Sequence, residues 1–489
     1  MNENRGTIDL GAIARRAMLA RGLEPDFPAS EMQQLNGVPG PARETNASIR
    51  DLRTLLWCSI DNDSSLDLDQ LTVADPLPSG GIKVLVAVAD VDAIVKPASP
   101  IDRHAFTNTT SVYTAAKIFP MLPERLSTDL TSLGEGQDRL AIVIEMSVTA
   151  DGAVAESNVY RALVQNHAKL AYRSVAAWLE GKTPPPDKLS RITGLADQLR
   201  MQDHTAQRMR SVRYLHGALD LETIEPEAVL SNGMVVDLRV DQKNRAKELI
   251  EDFMIAANGV SARFLEGRGW PALQRVVRSP QRWDQIRSVA KSFHDQLPDA
   301  PDSKALGEFM TRRRQADPLR FPDLSLTIVK LLGRGEYVVQ ATGGKVEGHF
   351  GLAVSEYSHS TAPNRRFPDL ITQRLLKAAL AGTEMPYSLA ELTTLAAHCT
   401  TQEDAAKKVE RQVRKSAAAL FLSGRVGETF DALVTGASEK GTWVRLLQPP
   451  AEGKLLDANA AMNVGDQVRV RLTNLNIERG FIDFVHAPR

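Results

Sequence analysis

Residues 59–70 read SIDNDSSLDLDQ, with aspartates at 61, 63, 67 and 69 closing the apolar run LRTLLWCSI at 52–60. Three readings of this much charge compete: a calcium loop, a catalytic metal site, or a solvated turn. A calcium EF-hand needs Gly at its sixth loop position and a bidentate Glu at its twelfth. Counted from Asp61, those positions hold Leu66 and Thr72, and the loop follows a strand-like run rather than a helix. Calcium sensing is set aside on that spacing. A solvated turn explains acids in a loop, but not their register. Asp67 and Asp69 stand two apart, which in an extended segment points both carboxylates to one face and Leu66 and Leu68 to the other. Crowded carboxylates repel one another and take up protons unless a cation neutralises them. The pattern therefore points to a hard divalent cation, Mg2+ or Mn2+, able to activate water and stabilise charge at phosphate.

The rest of the chain sets limits on that chemistry. Its 489 residues exceed the roughly 250 to 300 at which one core stops growing, so at least two domains are expected. Hydrophobic content of 43% and charged content of 24% are those of a globular protein. A net charge of −1 argues against nucleic-acid binding by overall basicity and leaves room for local basic faces. Cys58 and Cys399 are too isolated for a disulfide framework or a zinc site and read as reduced thiols of a cytoplasmic protein. The start, MNENRGTIDLGAIARRAML, lacks the order of a secretory signal, and no apolar run approaches the ~20 residues that span a bilayer. A soluble, cytoplasmic chain with no membrane partner is expected.

Leu10, Ile13, Ala14, Ala17 and Met18 recur at helical spacing up to Gly22, and NGVPGPARETNAS follows as a linker. Residues 1–45 form a small helical unit, whose two short helices also fit a helix-turn-helix. From about residue 48 the pattern turns to strand-like runs, LRTLLWCSI, IKVLVAVADV and LAIVIEMSV. Helical periods follow, among them 246–265 and a stretch from about 402 to Gly424 with Val409, Val413, Ala417 and Leu420 on one face. Residues 46–424 thus read as one mixed α/β domain. In 425–489 Val468, Val470 and Leu472 alternate with Arg469 and Arg471, the mark of a half-buried strand. Short strands over this length suit a five-stranded OB-type β-barrel, a frequent oligonucleotide-binding module. Eight acidic and eight basic residues leave that segment neutral, so binding there depends on where Arg469, Arg471 and Trp443 point. The fold class is α+β multidomain.

Several ordered stretches resemble the RNase II catalytic domain (RNB) of processive 3′-to-5′ exoribonucleases: SIDNDSSLDLDQL, VAVADVDAIV, AFTNTTSVYTAAKIFPMLPERLSTDLTSL, AKLAYRSV, ELIEDFMIAANGVSARFL and HFGLAVSEYSHSTAPNRRFPDLITQRLLKAAL. They run in family order from about 58 to 380, and the carboxy-terminal barrel is similar to the family's final RNA-binding domain. The resemblance implies that Asp61, Asp67 and Asp69 hold Mg2+ and the scissile phosphate. The family's fourth acidic position falls on Gln70, whose amide oxygen can ligate a hard cation but adds no charge. Asp63 could compensate. Arg365, in TAPNRRF, matches the family arginine that stabilises charge on the phosphate, with Ala362 where Ser is common and Arg366 beside it. Tyr113 matches an aromatic that stacks on the terminal bases; its partner aligns with Leu221, a departure that loosens the clamp. Tyr172 matches a position contacting ribose or base. Glu251 matches a Glu that selects RNA through the 2′-hydroxyl; a helix salt bridge with Lys247 is its bland alternative, disfavoured because Ile250, Phe253 and Met254 around it are apolar.

The implied reaction is in-line hydrolysis of single-stranded RNA by Mg2+-activated water, releasing nucleoside 5′-monophosphates from the 3′ end. Family members usually carry two cold-shock barrels ahead of the catalytic domain; only 60 residues precede Asp61, so the helical unit is expected to stand in their place or to leave the entrance more open. Two rival classes remain: a catalytically impaired RNA-binding protein that lost turnover through Gln70, and a DNA-binding regulator using GAIARRAMLARG. A monomer is expected, and no protein partner is legible.

Overall fold

The run IKVLVAVA has no polar side after Lys83, and it becomes a strand buried on both faces near the middle of a sheet. The computed structural model describes residues 8–487 apart from 79, 225, 232, 241–242, 345–346, 439–440, 459–461 and 463. The first nine strands are β1 Arg50–Asp51, β2 Cys58–Asp61, β3 Gln70–Pro76, β4 Ile82–Ala89, β5 Val112–Tyr113, β6 Ile118–Phe119, β7 Asp138–Val148, β8 Val154–Gln165 and β9 Ala168–Ala171. Seven of them make one mixed sheet in the order β1-β8-β7-β4-β3-β2-β9, while β5 and β6 form a separate hairpin. The acidic stretch is the connection between β2 and β3, two neighbouring strands near one edge. Of the run 52–60, only Cys58 onward is strand. The indole of Trp57 donates to the Leu52 carbonyl at 2.8 Å, so the preceding residues fold into a turn around a buried tryptophan.

Helix Arg245–Glu266, capped by the Asn244 side chain accepting from the Lys247 amide, packs on β2, β4, β7 and β8. It agrees with the periodicity expected over 246–265. The long helix expected from about 402 instead begins at Leu389 and runs to Phe421. Ser388 and Glu391 form a reciprocal capping box there, and Leu392, Ala396 and Cys399 make the buried stripe of the first half.

A closed barrel of strands Thr429–Ser438, Gly441–Leu446, Glu452–Leu455, Gln467–Asn476 and Phe481–His486 follows that helix, closing through parallel pairing of Lys454 with Asp483 and Leu455 with Phe484. This is the five-stranded OB-type barrel expected. Val470 and Leu472 are buried while Arg469 and Arg471 are exposed, as their alternation required. Ala418 and Ala419 of the long helix and Leu422 just past its end enter the barrel core, and a buried Arg445–Asp323 ion pair of 2.8 Å ties the barrel to helix Phe321–Leu332.

At the amino end the helices are Leu10–Leu19 and Ala29–Asn36. The apolar face of the first is buried against the long helix, and the second packs on helix Pro100–Asn108. Their apolar faces are thus spent on different parts of the protein, which removes the helix-turn-helix reading. No helix among the described residues is long and apolar enough to cross a membrane.

Candidate active site

The β2–β3 connection is held open by side chains rather than by regular structure. The Asp61 carboxylate accepts from the Asn62 amide at 2.7 Å and the Ser65 hydroxyl at 2.9 Å, which turns the chain immediately after β2. The Ser132 hydroxyl donates to the Leu66 carbonyl at 2.7 Å and accepts from the Leu68 amide at 3.0 Å. The Leu68 carbonyl accepts from the Leu133 amide, and the Asp69 carbonyl from the Ala89 amide, both at 2.9 Å. Ser132 follows a widened π turn over Arg125–Leu130 that also presents Thr131. These bonds replace the simple alternation expected of an extended segment. Leu68 is buried, but Leu66 is 61% exposed, so the two do not share an inward face.

Asp69 is 2% exposed and meets the loop before helix Phe367–Ala381. Its carboxylate accepts from the Asn364 amide at 2.9 Å and from the Arg365 Nε at 3.1 Å. The Arg365 side chain keeps 42% of its surface accessible, so one edge is anchored while the rest can face a ligand. That loop is fixed from behind. The Asp369 carboxylate accepts from the Ala362 amide at 2.8 Å and from Arg366 at 2.7 Å, and Thr131 donates to the Asn364 side chain at 2.5 Å. Arg366 is thereby a structural ion-pair partner of Asp369, beside Arg365 but not directed at Asp69. Pro368 in the first turn sets where the helix starts, and hence where Arg365 projects.

Electrostatics follow the same geometry. Burial pushes the Asp69 carboxyl up to about 7; Asp67 and Asp369 act in the same direction, against Arg365 and the Asn364 amide. Burial also raises the Asp67 carboxyl, with Asp61 adding and Arg365 opposing. For Arg365 burial works against the charge, but the carboxylates of Asp69, Asp61 and Asp67 outweigh it and hold the guanidinium protonated. Two tyrosines border the cluster. Tyr113 is 40% exposed, and its hydroxyl donates to Asp67 at 3.4 Å. Burial raises the Tyr172 phenol, with Asp61 adding and Arg365 opposing.

The carboxylates of Asp61, Asp67 and Asp69 are an all-oxygen set whose mutual repulsion a hard cation would relieve. As placed they are not a finished cage: among the described residues no three His, Cys, Asp or Glu side chains are grouped closely enough to hold a metal ion. Asp69 is engaged by Arg365 and Asn364, Asp61 by Asn62 and Ser65, and Asp67 by the Tyr113 hydroxyl, while Gln70 stands partly buried at the start of β3. The donor chemistry fits a divalent cation.

The structure separates the remaining sequence candidates. Glu251 is exposed on helix Arg245–Glu266, although Ile250 and Phe253 beside it are buried. Its apolar neighbours therefore do not argue for a buried role. It lies near enough to Tyr357 to disfavour that phenolate. Leu221 packs onto the separate core built around Trp283, Ile286 and Phe309, which helices Trp283–Ser292, Ser303–Ala316 and Phe321–Leu332 form. Trp443 lines a cleft with Arg411 and Lys415 of the long helix, whereas Arg469 and Arg471 point outward on the barrel. Sequence reasoning missed Thr131, Ser132, Asn364 and Asp369, which hold the two loops together; only the unusual polarity of Asn364 between Pro363 and Arg365 could have drawn notice.

A family model described as the RNB domain matches residues 49–382, about two thirds of the chain. This protein belongs to the RNB family. A second model, the RNase II-type exonuclease C-terminal S1 domain, matches residues 428–487, the closed barrel. The chain is 29% identical to Ribonuclease R of Thermotoga maritima, covering 98% of this chain and 70% of the relative, and 28% identical to Ribonuclease R of Escherichia coli strain K12, covering 99% and 63%. It thus spans roughly two thirds of the length of these relatives. In fold it is similar to Mycoplasma genitalium RNase R solved with ribose-methylated single-stranded RNA, with a TM-score of 0.87 at 21% identity over 98% of this chain and 78% of that one.

Proposed function

We propose that this RNB protein is a metal-dependent exoribonuclease that hydrolyses single-stranded RNA from its 3′ end to nucleoside 5′-monophosphates. The observation that carries this reading is the meeting of Asp69 with Arg365 across 296 residues of chain, with Asp61, Asp67, Tyr113 and Tyr172 around them. An anionic rim beside one half-free guanidinium suits a phosphodiester held at one oxygen by Arg365, while the acidic side receives what neutralises it. A divalent cation, Mg2+ with Mn2+ as substitute, would be held by Asp61, Asp67, Asp69 and Gln70 and would supply water activation and charge neutralisation at phosphate. Arg365 orients the phosphate and stabilises its developing charge. Asp69 fixes Arg365 and can accept a proton near neutral pH. Tyr113 offers its exposed ring to a terminal base, a contact that is sequence-tolerant because every base has a π face. Glu251, exposed on its helix, is available to a ribose hydroxyl.

Incubating the purified chain with 3′-tailed RNA, with Mg2+ and with chelator, tests the reading by chromatography of the released nucleotides. The expected result is cation-dependent release of 5′-monophosphates. Tight RNA binding with no release would replace it with the catalytically impaired reading, for which the substitution of an acid by Gln70 is the specific motive.

A further inference from the structure

The hairpin β5–β6 that bears Tyr113 has no core of its own. Val112 and Phe119, paired across it, are buried in one cluster with Ala14, Ala17, Met18 and Leu23 of the amino-terminal unit and Ala406, Val409 and Val413 of the long helix. Side chains alternate along a strand, so burying Val112 sends Tyr113 to the opposite face, toward Asp67. The Tyr113 amide donates to the Glu410 carboxylate at 2.9 Å. Glu410 adjoins Val409, so the helix that seats Val112 also grips the backbone of the next residue. On its other side the hairpin is stitched to the catalytic loop: the Ser111 amide and the Thr110 hydroxyl donate to the Arg365 carbonyl at 3.0 and 3.1 Å. Helix Leu10–Leu19 and the turn after it are anchored away from the hairpin as well, by Arg16 to Glu478 on a barrel turn and by Arg21 to Gln412 on the long helix.

We propose that Glu410 is a positioning residue for Tyr113, and that helix Leu10–Leu19 is a brace that wedges the hairpin against the long helix so that the tyrosine ring stands over the site where the RNA end is held. The assignment rests on the RNA-end reading of the site. It gives the amino-terminal helix a substrate-gripping role without any contact to RNA. Losing either support lets the hairpin swing, and the ring no longer meets the base.

Binding in the presence of chelator tests this apart from turnover, using the full chain and a 5′-labelled single-stranded oligoribonucleotide read by fluorescence anisotropy. Tyr113→Ala is expected to weaken Kd about tenfold, the scale of one lost base stack. Glu410→Ala is expected to weaken it by roughly 3- to 10-fold in the native background and by less than twofold on Tyr113→Ala, because its effect passes through the ring. Glu410→Gln keeps an acceptor oxygen for the amide and is expected to stay near wild type. Met18→Ala, which empties the brace contact, should show the same dependence on Tyr113 and serves as a second cycle if Glu410→Ala does not fold. A Glu410→Ala or Met18→Ala effect of equal size in both backgrounds, no effect in either, or no measurable binding by the wild type overturns the proposal. A chain that shows the coupling but releases no nucleotide with Mg2+ supports the positioning role and overturns only the enzyme reading.

Discussion

The Asp69 carboxyl offers a direct measure of the balance struck at the site. Its ordinary value of 3.8 is pushed up to about 7, chiefly by burial. Between those values the folded chain holds a proton that the unfolded chain has released, so raising the pH through this window weakens the folded state; the effect levels off above about 7. The full window is worth ~4 kcal/mol at ~1.4 kcal/mol per pH unit, and from pH 5 to pH 8 ~3 kcal/mol of it is crossed. At 2% exposure solvent screens little of this. Asp69→Asn removes the titration while keeping the shape. In urea unfolding with chelator present, the Asn variant should therefore gain ~3 kcal/mol on the wild type between pH 5 and pH 8, whatever constant offset the lost charge introduces. Parallel stabilities across that range would refute the reasoning: they would mean that Arg365 and the Asn364 amide outweigh burial and keep Asp69 ionised throughout. Added Mg2+ should shrink the gap, since a cation shared among the neighbouring carboxylates favours their charged forms.

Gln70→Asp adds a charged oxygen donor beside Asp69 and should lower the cation concentration for half-saturation about tenfold, read by Mn2+ titration; unchanged affinity would remove Gln70 from the ligand set. Asp323→Ala leaves Arg445 buried and unpaired between barrel and helix, a loss of ~3 to 5 kcal/mol that should appear as earlier melting in calorimetry. The Asp323→Leu/Arg445→Met pair should recover most of it. The Cys58 thiol is buried and pushed up to about 12 by desolvation, so iodoacetamide at pH 8 should label it only after denaturation; labelling of the native chain would contradict its place in the core.

Much of this protein is legible in its residues because the signals are local. The unbroken apolar run IKVLVAVA, the alternation in QVRVRL, the periodicity of 246–265 and the spacing of Asp61, Asp67 and Asp69 each depend on near neighbours, and each led to a strand, a helix or a charged loop that is present. Ordered motifs then carried the family, since their chemistry is tied to sequence rather than to surroundings. The errors fall where distant parts of the chain decide. Leu66 and Leu68 lost their shared face because Ser132 and Leu133 hold that loop by its backbone. Glu251 proved exposed among buried neighbours because the sheet takes one side of its helix and not the other. The amino-terminal helices, which also fitted a helix-turn-helix, spend their apolar faces on the long helix and on helix Pro100–Asn108, far along the chain. The sequence by itself determined which groups could do the chemistry. Only the tertiary structure decided that Asp69 faces Arg365, at what protonation, and that Tyr113 is held beside them, because burial and charge at a site are summed over every chain segment that closes around it.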